Sequence, residues 1–270
     1  MKKIGIVGAG AIGSFFTKCV SKEFKSLAKV VAVYDTNTES AKKLSKSLPS
    51  KPQVLSLDKL IIKSDLVIEA ATSLVSAKVC RAALAKGKDV LVMSIGGLLT
   101  NYKTLFELAK KKKSTIILPS GAICGLDGIK AASIGKIQRV SLTTRKPPMS
   151  LKGAPFIIKN RIDLDSVDKE QVIFKGTASD AVKAFPKNIN VSALLSIAAL
   201  GPNKTRVKII TSPEYMVNSH EIEVEGDFGR LTTKTENVPS PENPKTSFLA
   251  PLSAVAALRE FLEPSRKIGT

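Results

Sequence analysis

The chain contains one histidine, three cysteines and no tryptophan among its 270 residues. Cys19, Cys80 and Cys124 show no CxxC spacing, so we expect neither a disulfide scaffold nor a Cys/His zinc site, and no metal. Isolated cysteines are typical of a reducing compartment, which predicts a cytoplasmic location. No apolar stretch of about 20 residues occurs, so we expect no transmembrane helix and no membrane partner.

Acidic and aromatic residues are also scarce. The chain has 23 Asp and Glu against 42 Lys and Arg, and aromatic residues make up 5%. A net charge of +19 suits nucleic acids, but those sites usually combine a basic stripe with aromatic side chains that stack on bases. Here the lysines are spread over predicted helix surfaces, so we expect no nucleic-acid partner. A positive field also attracts small anions such as dinucleotides and dicarboxylates.

Apolar residues are plentiful, at 43%, which excludes intrinsic disorder as the main character of the chain. At the N-terminus, the lysines and the apolar run up to Phe16 resemble a signal peptide. That run contains three regularly spaced glycines and leads into a basic amphipathic stretch. We therefore interpret it as a strand, a tight turn and a helix.

Residues 1–120 alternate between short apolar runs and segments with helical periodicity. The predicted strands are Lys3–Gly8, Val30–Tyr34, Leu66–Glu69, Asp89–Met93 and Thr115–Leu118. The predicted helices are Ala11–Phe24, Thr38–Ser47, Ser76–Lys86 and Leu105–Lys113. This alternation predicts an α/β fold, an N-terminal Rossmann domain with a doubly wound parallel sheet.

The pattern changes after residue 120. Four β-like runs follow, at Val140–Thr144, Gln171–Gly176, Arg206–Thr211 and His220–Gly226, interrupted by a predicted helix at Ala178–Ala199. Residues 121–245 are therefore predicted to form a smaller α+β domain with a mostly antiparallel sheet. Val238–Pro244 is predicted to be a proline-rich loop. Within residues 246–270, the helix Phe248–Leu262 is expected to pack back on the first domain.

A glycine motif, Gly8-Ala9-Gly10-Ala11-Ile12-Gly13, follows the first predicted strand and opens the first helix. This arrangement is typical of dinucleotide binding. Gly8 permits the tight turn, Gly10 lets the backbone approach the pyrophosphate, and Gly13 allows close packing. The N–H groups at the helix start, including those of Ala11 and Ile12, are expected to bind the phosphates.

Asp35 ends the second predicted strand, 22 residues after the motif. At this position an acidic residue accepts hydrogen bonds from the adenosine ribose, which favours NAD. NADP stays open, because four residues near Asp35 could meet a 2′-phosphate: Thr36, Asn37, Lys42 and Lys43.

Small residues follow two further strands of the predicted sheet. Ala70 and Ala71 come directly after Glu69, and Ser94-Ile95-Gly96-Gly97 follows the next strand. Ligands bind at the carboxyl ends of the strands in such sheets, so both segments are expected to line the nicotinamide half of the cofactor site.

The segment Pro119–Gly128 joins the two halves and follows the last Rossmann strand. Its backbone, at Ser120 and Gly121, can offer N–H groups to an anionic substrate. Cys124 is interpreted as a packing residue, because no histidine is near it in sequence.

His220, the only histidine, opens an alternating strand. An unperturbed imidazole titrates near neutral pH, which suits proton transfer, although a lone histidine is often structural.

Five segments of this sequence resemble the L-aspartate dehydrogenase family and occur in the family's order. They are PSGAICGLD at 119–127, TTRKPP at 143–148, FPKNINV at 185–191, HEI at 220–222 and NPKTS at 243–247. The resemblance implies a Rossmann domain, a substrate and dimerisation domain, and a homodimer. It also implies NAD, or NADP, as cofactor and conversion of L-aspartate to oxaloacetate and ammonia through iminoaspartate, which can feed NAD biosynthesis.

The resemblance also assigns individual residues. It implies that His220 is catalytic, that Ala122 contacts the cofactor, and that either Asn188 or Asn190 does so, of which we favour Asn190. The two carboxylates of aspartate need cationic partners, and Arg145 and Lys146 are the candidates.

One segment departs from the family pattern, since Lys152–Asp168 looks inserted and could alter the site or form a surface loop.

Two other functions remain open at this point. One is an oxidoreductase of the same architecture with another substrate, such as homoserine dehydrogenase or dihydrodipicolinate reductase. The latter normally carries a histidine-rich stretch, and this chain has one histidine. The other is a non-catalytic NAD(H)-binding sensor, against which His220 and the polar Asn188/Asn190 pair weigh mildly.

Overall fold

The computed structural model describes residues 1–186, 189–241, 243–265 and 269. The chain forms two compact units. The first contains Met1–Pro119 and the C-terminal helix from Pro251 onward, and the second contains Ser120–Ala250. Within the described residues, no helix combines the length and the apolar character needed to cross a bilayer.

The first unit is built on a six-stranded sheet in which all neighbouring strands are parallel. Its strands are β1 (Lys2–Val7), β2 (Ala28–Tyr34), β3 (Gln53–Val54), β4 (Leu66–Glu69), β5 (Asp89–Val92) and β6 (Ile116–Ile117). Their order is β3-β2-β1-β4-β5-β6, so the winding reverses between β1 and β4. The predicted doubly wound parallel sheet is confirmed, and the reversal marks where such sheets bind ligands.

Along the chain, an α-helix connects each strand of this sheet to the next. These helices are α1 (Ala11–Lys22), α2 (Thr38–Lys46), α3 (Leu57–Lys63), α4 (Ser73–Ala85) and α5 (Tyr102–Lys112). Sequence analysis missed α3, because seven residues give too short a window for helical periodicity.

The central strands β4 and β5 are buried on both faces, which explains why they read as nearly continuous apolar runs. In β4, Leu66 and Ile68 pack in one core cluster and Val67 in the other. The last helix, α10 (Leu249–Leu262), contributes Ala254 and Leu258 to the first of these clusters.

The second unit contains a five-stranded sheet in the order β11-β10-β7-β9-β8. Its strands are β7 (Ile137–Lys146), β8 (Gln171–Thr177), β9 (Arg206–Thr211), β10 (Asn218–Gly226) and β11 (Gly229–Asn237). β7 and β9 are parallel and the other neighbours are antiparallel, which confirms the predicted mostly antiparallel sheet. Its helices are α6 (Leu126–Ala132), α7 (Pro155–Lys159), α8 (Ala178–Ala184) and α9 (Asn190–Ala198).

The predicted single helix Ala178–Ala199 is wrong, since the structure has two helices, α8 and α9, in its place. Phe185 leaves the helical conformation, with φ −136° and ψ 57°, directly before Pro186. Proline lacks an N–H and disfavours the helical region for the residue that precedes it, so the helix ends there.

Two further segments differ from expectation. The predicted loop Val238–Pro244 contains a small antiparallel sheet, β12 (Pro239–Ser240) with β13 (Asn243–Ser247). The segment Lys152–Asp168 contains α7, and its Ile157 and Leu164 are buried in the core of the second unit. That segment therefore contributes to packing and is more than a surface loop.

The two faces of the second sheet have different characters. One face is apolar where Val207 and Ile209 of β9 pack in a cluster with Phe185 at the end of α8. The other face carries charged side chains that pair across strands, including Arg145 with Glu221 at 2.7 Å and Arg139 with Glu225 at 2.6 Å.

Candidate active site

The glycine motif forms a turn that fits only glycine at two positions. Gly8 has a φ of +101°, and a Cβ there would lie 2.5 Å from the carbonyl oxygen of Ala70. A Cβ on Gly13 would lie 1.9 Å from the carbonyl oxygen of Gly8. The N–H of Gly8 donates to the carbonyl of Tyr34 at 2.8 Å, which ties the turn to the end of β2.

Gly10 differs, because a Cβ there would meet no atom within 4 Å. It is the N-cap of α1 and offers no side chain to the first-turn amides. The first amides of an α-helix have no acceptor within the helix, so those of Ala11 and Ile12 face a space that a phosphate can enter. The residues present therefore fit the pyrophosphate of a dinucleotide.

Asp35 lies directly beside this turn. Its Oδ2 accepts a hydrogen bond from the N–H of Ala9 at 2.7 Å, and its Oδ1 accepts one from Asn37 at 2.8 Å. A carboxylate has about four acceptor positions, so ribose hydroxyls can still bind. Lys42 and Lys43 are the cationic residues near Asp35 that could meet a 2′-phosphate. Of these two, Lys42 forms an ion pair with Glu39 at 2.8 Å.

A residue whose role sequence analysis missed, Glu69, connects the two strand ends that carry the small residues. Its side chain is fully buried and accepts hydrogen bonds from the amides of Ala71 at 2.9 Å and Ser94 at 3.0 Å. Burial raises the pKa of this carboxyl group. An acidic residue ending an otherwise apolar strand was the available signal, and it fixes the loop that contains Ala70 and Ala71.

In the second unit, His220 lies in β10 directly opposite Thr144 of β7. The imidazole Nδ1 and the Thr144 hydroxyl are 3.0 Å apart. Lys146, two residues further along β7, shares this face of the sheet, because side chains alternate along a strand. The exposed fraction is 4% for His220, 6% for Thr144 and 6% for Lys146.

Burial determines the charges of this group. It lowers the pKa of His220 from 6.5 to about 3, with a smaller contribution from the positive charge of Lys146. It also lowers the pKa of Lys146 to about 8. At neutral pH the imidazole is therefore neutral and Lys146 is mainly protonated, which puts a proton acceptor and a cation on one face.

Other polar groups extend this face of the sheet. The buried Oδ1 of Asn218, two residues before His220, has no hydrogen-bond partner among the described residues. An unpaired buried acceptor costs free energy, so a ligand that donates to it would be stabilised there. On the neighbouring strand, Thr235 lies opposite His220.

The segment after Pro119 is attached to the same strands. The carbonyl of Ala122 accepts hydrogen bonds from Thr235 at 2.8 Å and from Asn237 at 3.0 Å. Sequence analysis missed both of these partners. They anchor the chain immediately after Ser120 and Gly121, and Gly121 has a φ of +67° that favours glycine.

Two candidates for cofactor contact remain, Asn188 and Asn190. Asn190 is the first residue of α9. Asn188 lies outside the described residues.

Cys124 is exposed, contrary to the packing role predicted for it, and its carbonyl oxygen accepts a hydrogen bond from the Thr233 hydroxyl at 3.3 Å.

Arg145 lies on the opposite face of the sheet from His220. It forms an ion pair with Glu221 and lines an open groove of about 680 Å³ together with Glu170 and Tyr215. The structure therefore brings Lys146 to His220 but separates Arg145 from it. Within the described residues, no group of three or more His, Cys, Asp or Glu side chains is arranged to hold a metal ion.

A helix N-terminus cradled by glycines, with Asp35 beside it in a doubly wound sheet, defines a dinucleotide-binding Rossmann fold. Residues 8–119 match the family model described as homoserine dehydrogenase, NAD binding domain. Residues 127–261 match the model described as aspartate dehydrogenase, C-terminal.

Similar full-length proteins narrow this class. The chain is 48% identical to an L-aspartate dehydrogenase of Methanocella arvoryzae and 45% identical to one of Methanosarcina mazei, in each case over 100% of both chains. It belongs to the L-aspartate dehydrogenase family.

Solved structures show the same fold. Aspartate dehydrogenase from Thermotoga maritima matches with a TM-score of 0.72 at 23% identity, over 100% of this chain and 99% of that one. A hyperthermophilic archaeal homoserine dehydrogenase in complex with NADPH matches with a TM-score of 0.61 at 13% identity, with the same coverage.

Proposed function

We propose that this protein is an L-aspartate dehydrogenase that converts L-aspartate to oxaloacetate and ammonia through iminoaspartate, or catalyses the reverse reaction. The observation that carries the proposal is the burial of neutral His220 and of Lys146 on the same face of the sheet. Both lie in the region that matches the C-terminal domain of aspartate dehydrogenases. A cytoplasmic location, supported by three cysteines that form no disulfide, and a contribution to NAD biosynthesis are parts of the same proposal.

In the proposed mechanism, each unit has its own task. Gly8, Gly10 and Gly13 with the first amides of α1 would hold the pyrophosphate, and Asp35 would hold the adenosine ribose. Ala70 and Ala71 are assigned to the nicotinamide half, and Ala122 and Asn190 stay cofactor contacts that the family resemblance implies. When bound, the nicotinamide would accept a hydride from the Cα of the substrate.

The proton transfers are assigned to His220. Loss of hydride from the neutral amine leaves an iminium that water attacks, and the neutral imidazole takes one proton from that water, which gives a neutral carbinolamine. When the C–N bond breaks, the same group returns that proton to the departing ammonia, and the proton of the carbinolamine hydroxyl passes to solvent as the C=O bond forms. Because the pKa of His220 is lowered, the imidazole is unprotonated across the neutral range.

The substrate carboxylates are assigned to Lys146 and to the amides of Ser120 and Gly121. A charge-assisted hydrogen bond from a buried ammonium is among the stronger contacts that a carboxylate can make. Arg145 is not included, because its side chain lies on the other face and is paired with Glu221.

We predict that a dicarboxylate without an amine, such as succinate, binds more weakly as the pH rises above about 8. The pKa of Lys146 is lowered to about 8, so its positive charge is lost above that pH. Titration calorimetry in the presence of the cofactor measures this. Lys146→Met should weaken binding roughly 10- to 100-fold, whereas Lys146→Arg should keep binding independent of pH in this range. Binding by the unmodified protein that stays constant from pH 7 to 10 would contradict the assignment.

We propose that NAD is bound at least as well as NADP, because Asp35 repels a 2′-phosphate. Asp35→Ala should weaken NAD binding by roughly 10- to 100-fold, since it removes charged hydrogen bonds. It should also reduce the discrimination against NADP. Asp35→Asn is the matched control, because it keeps an acceptor for the Ala9 amide without the charge. Fluorescence titration of both cofactors measures the ratio, and a much tighter NADP complex in the unmodified protein would disprove the assignment.

The test of the whole proposal is a panel of amine and alcohol substrates with NAD and with NADP, read as absorbance of the reduced cofactor. Activity confined to L-aspartate supports the proposal. Activity with homoserine would favour the alternative dehydrogenase, and cofactor binding without turnover of any substrate would favour a sensor.

We also propose a homodimer. The polar face of the second sheet carries the groove that Arg145 lines, and Met216, 83% exposed, lies on that groove. A second copy of the chain would cover this face, and light scattering at micromolar concentration tests the mass.

A further inference from the structure

His220 and Thr144 form a cross-strand pair whose contact is specified by strand register. β10 and β7 run antiparallel, and the two residues are directly opposite each other on the same face. The Nδ1 atom lies 3.0 Å from the threonine Oγ1, and both side chains are buried. One ring nitrogen of His220 is therefore engaged by β7.

We propose that Thr144 is a positioning residue that sets the tautomer of His220. The Oγ1 of Thr144 accepts a hydrogen bond from Nδ1–H, which leaves the lone pair of Nε2 to take the proton from water. This inference rests on the proposed function, in which His220 is the acid–base group.

The chemistry of the two groups supports this direction of the hydrogen bond. A neutral imidazole carries one hydrogen on one of its two nitrogens, and a hydroxyl oxygen has two lone pairs. When Nε2 accepts a proton, both ring nitrogens become donors, so Thr144 can accept in either protonation state without reorienting. Burial and the positive charge of Lys146 destabilise the imidazolium form of His220. The hydrogen bond to Thr144 stabilises that form and so partly offsets their effect.

Threonine suits this role because of its shape. Its β-branched side chain has restricted rotation about χ1, so the oxygen stays directed at the ring. Serine would keep the oxygen but not the restriction, and valine would keep the shape but not the oxygen. These two replacements separate hydrogen bonding from packing.

The single histidine makes a direct measurement possible, because nitrogen NMR of protein labelled at histidine reports on His220 alone. The protein must carry no histidine tag. At pH 7 we expect Nδ1 to give a protonated, pyrrole-type signal and Nε2 an unprotonated, pyridine-type signal. Thr144→Val should lose this preference, and Thr144→Ser should retain it. A protonated Nε2 in the unmodified protein would overturn the inference.

Kinetics provide the second measurement. At metal sites, mutation of the side chain that orients a histidine lowers metal affinity or activity roughly 10- to 100-fold. We expect Thr144→Val to lower kcat by a similar factor. NAD affinity should be unchanged, and Thr144→Ser should recover most of the activity. In a His220→Ala background, Thr144→Val should have no further effect, since Thr144 acts only through His220.

The arms of the test distinguish the two possible failures. Multiplicative losses in the double variant would show that Thr144 acts through packing, and would overturn the inference while leaving His220 catalytic. Near-normal turnover of His220→Ala alone would instead contradict the proposed function.

Discussion

Replacement of His220 by alanine should lower turnover of L-aspartate by roughly 10²–10⁴-fold, the usual value of positioned proton transfer. NAD should bind normally, because the residues assigned to the pyrophosphate and ribose belong to the first unit. His220→Asn is a useful second variant, since it fills more of the buried site than alanine and has no comparable base. Steady-state rates and cofactor titration of the same preparations separate loss of chemistry from loss of folding.

The pH dependence of turnover should differ from that expected for an unperturbed histidine. Such a histidine would make the rate change with pH near about 6.5. Burial and Lys146 lower the pKa of His220 to about 3, so protonation of the imidazole lies far below neutral pH. Between pH 6 and 9 the profiles of the unmodified protein and the variant should differ in height rather than in shape. Near-normal turnover in both variants would show that the proton carrier lies elsewhere.

Local motifs allowed the cofactor site to be predicted from sequence. A glycine motif between a strand and a helix is a contiguous signal, and Asp35 follows it at a fixed spacing. The Thr144–His220 contact has no such signal, because it depends on the register between strands that are 76 residues apart in sequence. Register is set by packing of the whole sheet, which one sequence does not reveal.

The sequence of β7 contains a pattern that indicates on which face of the sheet Arg145 lies. Val140 and Leu142 alternate with polar residues in β7, which identifies the buried face. Extending that alternation by two steps places Thr144 and Lys146 on the buried face and Arg145 on the other. Adjacent residues on a strand point in opposite directions, so Arg145 and Lys146 do not share a face although both are cationic.

Strand β11 was not predicted, because its sequence lacks a hydrophobic pattern. Its threonines favour a strand, but neither face is continuously apolar, so the period-two pattern is absent. The strand is nevertheless part of the proposed site, because Thr235 and Asn237 hold the carbonyl of Ala122. Polar strands that anchor a loop carry little hydrophobic signal.

The glycine motif offers a matched pair of substitutions with large and different effects. Gly13→Ala should destabilise the first unit, because its Cβ would lie 1.9 Å from the carbonyl oxygen of Gly8, and backbone cannot move aside as a flexible side chain can. Overpacking in a core costs about 1–3 kcal/mol and sometimes more, so we expect a clearly lower Tm and a loss of NAD binding. Differential scanning calorimetry and cofactor titration measure the two effects.

Gly10→Ala should behave in the opposite way with respect to stability. Its Cβ would meet no atom within 4 Å, so the Tm should stay close to that of the unmodified protein. The same methyl group would, however, occupy the space in front of the first amides of α1, where the pyrophosphate must approach the backbone. NAD binding should therefore weaken by roughly tenfold or more, the effect of losing about 1.4 kcal/mol of phosphate contacts. If Gly10→Ala bound NAD normally, the pyrophosphate would not lie over Gly10; if Gly13→Ala kept its Tm, the turn would be looser than the structure indicates.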